Sequence, residues 1–331
     1  MPKRSIIFRT LLHALPTTAI LTLVGIDPAG WVGLAGAPET KFPSELVEFG
    51  PVGPPLFSGG GQGAWDRDLR ERGWIARDGG RWHLWYTGSN PDRDDVRRLG
   101  YATSADGLNW NRSDRNPLLA DAWVEDMCVV KACGRYHMFA EGTGDLAHSL
   151  VSVDRIHWQQ QGPLDIRLTT GETIPEGPRG TPTVWRERGI WYLFYERRDR
   201  GVWLATSCDA KTFTNLSDEP VLACGPDPYD RHAVAVDQIV KHGGRYYAYY
   251  HASALEQWGQ WSTCIATSRD LLHWEKYGGN PVVPVDLNHP KRSSAMLVDD
   301  GLHHRLYTTH PDVRVRFSTV TLPRRKSPSH R

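Results

Sequence analysis

Short runs in which aromatic or aliphatic residues alternate with polar ones recur along this chain, and each leaves a turn glycine. The clearest is 80–88, Gly-Arg-Trp-His-Leu-Trp-Tyr-Thr-Gly. It returns at 134–142, 189–197 and 244–252, and in a worn form at 302–310. Aligned on Trp82, Tyr136, Trp191, Tyr246 and His304, the copies step by 54, 55, 55 and 58 residues. A period-2 aromatic run after glycine predicts a strand leaving a hairpin. Strands repeating at this interval predict a β-propeller with one blade per copy.

A second repeat runs out of phase with the first. Ser104 and Asp106 before Trp110, Ser152 and Asp154 before Trp158, Ser207 and Asp209 before Phe213, and Ser268 and Asp270 before Trp274 share one spacing. An Asp two residues after a Ser makes a turn by accepting backbone N–H groups. The following aromatic starts an outer strand, which Pro117, Pro163, Pro220 or Pro281 ends. The fold class expected is therefore all-β, a five-bladed propeller with four antiparallel strands per blade over 65–322. The fifth blade lacks a convincing outer strand. A closed ring tolerates no bare edge, so segment 38–64, with its short apolar stretch 46–49, is expected to close it.

Residues 1–37 read as an export signal: Lys3, Arg4 and Arg9, then an apolar stretch 19–24, then Ala35-Gly36-Ala37. The expected location is periplasmic or extracellular. No other segment is long and apolar enough for a membrane span. The tail 323–331 is basic and reads as a frayed end. A net charge of +1 with both signs mixed argues against nucleic acid or anionic lipid as partner. The chain is expected to act as a monomer on carbohydrate. Five cysteines match no zinc spacing; Cys128 and Cys133 could meet across a hairpin, though free thiols fit better.

Residues just before an inner strand and just after the aromatic strand crowd one mouth of a propeller. There the sequence sets Asp66, Asp68, Glu71, Arg72, Glu125, Asp126, Glu176, Arg179, Asp230, Arg231, His232, Lys291 and Arg292, and at the aromatic-strand ends Glu141, Glu196, Arg197, His251 and His310. Trp65 and Trp123 add flat faces suited to pyranose rings. Carboxylates converging in an aromatic-lined depression suit glycoside cleavage, one as acid and one as base or nucleophile. The Arg and His residues suit sugar hydroxyls, and no spacing among them suggests a metal pair. No cofactor is required, although a structural cation near the axis fits the architecture.

The five blades, the stretch 268–274 and a Glu-Asp pair opening a blade resemble the arabinanase/xylosidase/invertase group of glycosidases, families 43 and 32. The wording at 65–68, 123–126, 192–197 and 307–310 resembles a bacterial set known only as glycosylases. The resemblance covers 65–320. It implies three acids: a base or nucleophile in blade one, a stabilising Asp in the next blade and a Glu as general acid. Asp126 matches the stabiliser. The matching register in blade one holds Arg72, which turns the base over to Asp66 or Asp68. In blade three it holds Thr181, leaving Glu176 or Glu196 as acid, and a strand end favours Glu196. The expected activity is glycoside hydrolysis; a phosphorylase on the same fold and a carbohydrate-binding propeller without catalysis are the alternatives.

Overall fold

A computed structural model describes residues 42–94, 96–175, 177–257 and 259–322. The expected leader 1–37, Glu176 and the tail 323–331 lie outside them. Apart from a one-turn helix at Ser44–Val47 and a 3-10 turn at Pro228–Asp230, the described residues form strands and loops. Among them, no helix is long and apolar enough to cross a membrane.

The strands make five sheets, each with four antiparallel strands, in chain order in the first four blades. Blade one opens with the inner strand Asp68–Asp78, blade two with Glu125–Ala132, blade three with Thr183–Glu187, blade four with Ala233–His242 and blade five with Met296–Asp299. Each inner strand packs on the next, and the fifth packs on the first, so the five close around an axis. Blade three carries two further strands, Asp165–Arg167, parallel to its outer strand, and Leu222–Ala223.

Both sequence repeats have the roles their chemistry implies. Trp82, Tyr136, Trp191 and Tyr246 pair with Arg77, Lys131, Arg186 and Lys241 at equivalent places beside the hairpin. They also join blades: the Tyr136 hydroxyl donates to Asp78 of blade one, and that of Tyr246 to Glu187 of blade three, 2.5 Å away. In the Asp turns, Asp106 Oδ1 accepts the N–H groups of Leu108 and Asn109, both at 2.8 Å, while Ser104 Oγ accepts that of Gly107. Asp154, Asp209 and Asp270 repeat the pattern. The resulting strand starts bury Trp158 and Phe213 between blades.

The fifth blade borrows its outer strand from before the repeats. Phe57 and Ser58 pair with Val313 and Asp312, and the N–H groups of Leu56, Gly53 and Gly50 donate to Val313, Val315 and Phe317. Of the apolar stretch 46–49 only Phe49 joins that edge, bridging Ser318, since Pro43 starts a helical turn that buries Leu46 beneath Tyr249 instead. All five cysteines are free, and Cys133 is exposed while Cys128 is buried.

Arg72 is fully buried at the axis. Its Nη1 donates to Thr183 Oγ1 (2.6 Å) and to the carbonyls of Val236 (2.8 Å) and Asp237 (3.0 Å). Its Nη2 donates to the carbonyls of Asp126 (2.6 Å) and Pro182 (2.8 Å). One side chain of blade one thus ties together blades two, three and four, beside the Gly73 N–H that reaches Thr309 Oγ1 of blade five at 2.8 Å. Gly73 admits no side chain, because a Cβ would meet the Trp85 carbonyl at 2.6 Å. Arg72 is therefore an axial tie and not the sugar-binding group expected from sequence. Replacing it by Met keeps bulk but strands the carbonyls of Asp126 and Pro182 and leaves those of Val236 and Asp237 to share the Thr183 hydroxyl. The loss expected is about 3–5 kcal/mol of unfolding free energy. Arg72→Lys should recover only part, since one ammonium cannot span the same fork. Denaturant titration of both variants checks this; a loss below about 1 kcal/mol for the Met variant contradicts the axial role.

Candidate active site

The inner strands reach the mouth through irregular backbone. In blade one, Glu71, Arg72 and Gly73 face the single residue Tyr86, between the pairs Arg70–Thr87 and Trp74–Trp85. In blade two, Asp126 and Met127 face Ala140 alone. In blade four, Asp237 is the extra residue. Glu71 (φ 48°), Asp126 (46°), Thr181 (44°) and Ser294 (58°) adopt the left-handed conformation that side chains resist. Such bulges re-aim side chains, and here each turns one toward the axis.

The side chains so aimed surround a cavity of about 770 Å³, whose lining includes Glu71, Glu125, Asp126, Glu141, Glu196 and His251. Glu125 and Glu141 are cross-strand partners and both are buried. The segment Gly180-Thr181 holds two acids at once: Gly180 N–H donates to Glu196 Oε1 (3.1 Å) and Thr181 N–H to Glu141 Oε2 (2.8 Å). A Cβ on Gly180 would lie 2.0 Å from that Glu141 oxygen and 2.8 Å from that of Glu196. Asp126 Oδ1 accepts the Arg72 N–H at 3.2 Å.

Burial and mutual repulsion divide these carboxyls. Burial, reinforced by Asp126 and Glu71, pushes Glu125 up to about 8 against the pull of Arg97. Burial and the charge of Asp199 push Glu196 up to about 7. Burial and Asp126 raise Glu141 far above the carboxylate range, while burial and Glu71 raise Asp126. Glu71 goes the other way: burial raises it, but His310, Arg70 and Arg97 together outweigh that and hold it low. His251 would be lowered by burial, yet Asp237, whose Oδ1 sits 2.6 Å from Nδ1, raises it.

Of the described residues singled out from sequence, Glu71, Glu125, Asp126, Glu141, Glu196, His251, Lys291 and His310 line this cavity. The other described ones do not. Asp66 is buried in blade one, accepting from Tyr86 Oη (2.9 Å) and Arg112 Nε (3.0 Å), which makes it structural there. Trp65 stacks on Tyr86 and packs against Gly88. Asp68 is paired with Arg67 at 2.7 Å beside a neighbouring groove. Trp123 stands behind the wall, donating to Glu125 (3.0 Å) beneath the Arg97 guanidinium. Arg179 and His232 fall outside the lining, and Arg197 turns away over Trp203. Arg198, Asp199 and Arg200 take its place, together with Arg97, Asp145, Trp261, Ser293 and Ser294. Glu71 was visible in sequence among the blade-one acids, but nothing in the spacing told it from Asp66 and Asp68. Among the described residues, no group of three or more His, Cys, Asp or Glu is arranged to hold a metal ion.

No family model matches the chain. Among curated proteins, a 1,2-beta-oligomannan phosphorylase of Thermoanaerobacter is 27% identical over 172 residues, which is 48% of this chain and 54% of that protein. An uncharacterised Mycobacterium tuberculosis protein is 26% identical over 218 residues, 59% of this chain and 71% of its own length. A Thermoanaerobacter beta-1,2-mannobiose phosphorylase is 29% identical over 106 residues, covering 27% of this chain and 35% of that one. The chain thus spans about half of the first of these relatives. In solved structures the same fold occurs in a glycosyl hydrolase from Bacteroides ovatus (TM-score 0.63, 16% identity, 78% of this chain and 88% of that one). It also occurs in a beta-1,2-mannobiose phosphorylase from Listeria innocua (TM-score 0.60, 15% identity, 75% and 89%). The fold is one that carbohydrate-active enzymes use.

Two outcomes follow from this geometry. Gly180→Ala forces Glu141 and Glu196 from their places, so binding of any ligand in this cavity should fall at least tenfold with the fold retained; calorimetric titration beside circular dichroism measures both. The second concerns pH. A carboxyl whose folded pKa lies above its unfolded one keeps a proton the unfolded chain gives up, so stability falls as pH rises between the two values. His83, His137 and His148, lowered chiefly by burial, oppose this only below about pH 6.5. From pH 6.5 to about 8 the raised Glu125 and Glu196 dominate, so unfolding free energy should decline across that window. A flat or rising curve in denaturant titrations contradicts the assigned protonation.

Proposed function

We propose that the chain is a glycoside hydrolase that cleaves β-1,2-mannosidic bonds. The observation that carries this reading is the split between carboxyls of blades one and three, either side of Asp126 in blade two: Glu71 held low and Glu196 pushed up to about 7. Two carboxyls driven apart in this way define an acid and a base. Glu196, protonated near neutral pH, gives its proton to the leaving glycosidic oxygen. Glu71, ionised, acts as base toward water or as nucleophile at the anomeric carbon. Asp126, between them, offsets the positive charge that develops on the sugar ring. His251, held in place by Asp237 at Nδ1, offers Nε2 to a substrate hydroxyl. The mannosidic linkage is suggested by the names of the two curated phosphorylases.

Water suits this cavity better than phosphate as the attacking group. The buried walls around Asp126 are acidic, Glu125, Glu141 and Glu196, and Arg97 is already paired with Glu125. A phosphate dianion there would meet the ionised Glu71, and protonated Glu125 and Glu141 offer it no compensating positive charge. Phosphorolysis is the second reading, favoured by those same relatives and by Arg198, Arg200 and Lys291, exposed cations that also line the cavity.

The test uses β-1,2-mannobiose in phosphate-free buffer. Glu196→Gln, Glu71→Gln and Asp126→Asn should each lower kcat about 10²–10⁴-fold with thermal unfolding unchanged, while Asp66→Asn and Asp68→Asn should leave the reaction chemistry intact. For the wild type, kcat/KM should fall above about pH 7 as Glu196 loses its proton. Near-normal rates in the Glu71 and Glu196 variants would sink the assignment.

A further inference from the structure

A second cavity of about 450 Å³ opens beside the first, between the start of blade one and the segment that leads into blade five. Glu71, Lys291 and His310 line both, so the two spaces meet at these residues. Arg67, Asp68 and Arg70 form one wall of the second space, and Asn288, His289 and Pro290 the other. Both volumes fall in the range of about 300–1,000 Å³ usual for small-molecule sites.

The lining favours a neutral polyhydroxylated ligand over an anion. Its arginines are already matched by carboxylates: Arg67 with Asp68 and Asp92, Arg70 with Glu71, and Arg292 with Asp286 and Asp312. The remaining hydrogen-bonding capacity suits hydroxyl groups. His310 is 7% exposed, and its Nε2 donates to the Lys291 carbonyl at 2.6 Å. Because a carbonyl only accepts, that bond fixes the proton on Nε2, and Nδ1 is left buried without a partner. A buried polar atom of this kind is one hydrogen-bond partner short. Pro290 and Pro311, both exposed, add flat apolar faces of the sort that pack on pyranose C–H surfaces.

We propose that this second cavity is a sugar subsite that binds the next residue of a neutral oligosaccharide whose scissile bond lies in the main cavity. The preferred ligand then has three or more sugar units. This rests on the reading of the main cavity as a glycosidic-bond site. The subsite's contribution is a few hydrogen bonds and apolar contacts, which sets a gain of about tenfold in affinity for the added unit.

Calorimetric titration of the full chain carrying Asp126→Asn, which blocks turnover, measures β-1,2-linked mannobiose against mannotriose. The triose should bind about tenfold tighter. Asn288→Trp, which fills the groove from its outer wall, should erase that gain and leave mannobiose affinity unchanged; His289→Trp replaces it if the first variant unfolds. Equal affinities for the two sugars, or equal weakening of both by Asn288→Trp, would overturn the subsite, as would displacement of the triose by inorganic phosphate from this groove alone. Should neither mannoside bind, the mannosidic reading fails, and the same length comparison passes to neutral gluco- and xylo-oligosaccharides. A length gain there that Asn288→Trp removes upholds the subsite, and its absence in every series overturns it.

Discussion

The buried guanidinium of Arg72 is the constraint on which the mouth depends. Five inner strands meeting at an axis bring carbonyl groups together with no sheet partner, and such groups are costly without a donor. Arg72 supplies five donated bonds to three other blades. To place that side chain on the axis, blade one takes a wide bulge, and the same bulge turns Glu71 into the cavity. The N–H of Arg72 holds Asp126, so one residue sets the floor and two of the acids above it.

That floor gathers more carboxyls than charge would allow if all were ionised. The protein resolves the crowding in three ways. It leaves Glu125, Glu141 and Glu196 protonated by burial, aims consecutive N–H groups of Gly180 and Thr181 at Glu196 and Glu141, and sets positive charge from His310, Arg70 and Arg97 around Glu71. Stability is given up in the process, because raised carboxyls and left-handed Thr181 and Ser294 are unfavourable in themselves. The compensation lies in the blade packing, where aromatic residues of one blade bond to the inner strand of the previous one.

The fold was legible because its signals are local and periodic. Glycine hairpins, Ser-x-Asp turns and alternating aromatics each act within a few residues, so their spacing carried the blade count. The fifth outer strand could be inferred only as a requirement; it runs from Phe49 to Ser58 and leaves most of the apolar stretch to the helical turn that follows Pro43. The site was legible where it follows strand ends, as with Glu141, Glu196, His251 and His310. It was not legible where bulges shift register. Blade one has three residues against one where blade two has two against one, so counting back from the aromatic strand reached Arg72 when the mouth residue was Glu71. Asp66 misled for a different reason: its partners Tyr86 and Arg112 lie twenty and forty-six residues onward. Beyond Glu196 two left-handed residues, Arg198 and Asp199, reverse the chain, exchanging Arg197 for Arg198 and Arg200 at the cavity.

The central claim is that water attacks the glycosidic bond in an acid-walled cavity. Turnover of β-1,2-mannobiose in ¹⁸O-labelled water containing inorganic phosphate tests it by mass spectrometry of the first products. The account predicts free mannose carrying one labelled oxygen, at a rate that phosphate does not change. Unlabelled mannose 1-phosphate as the first product would contradict it.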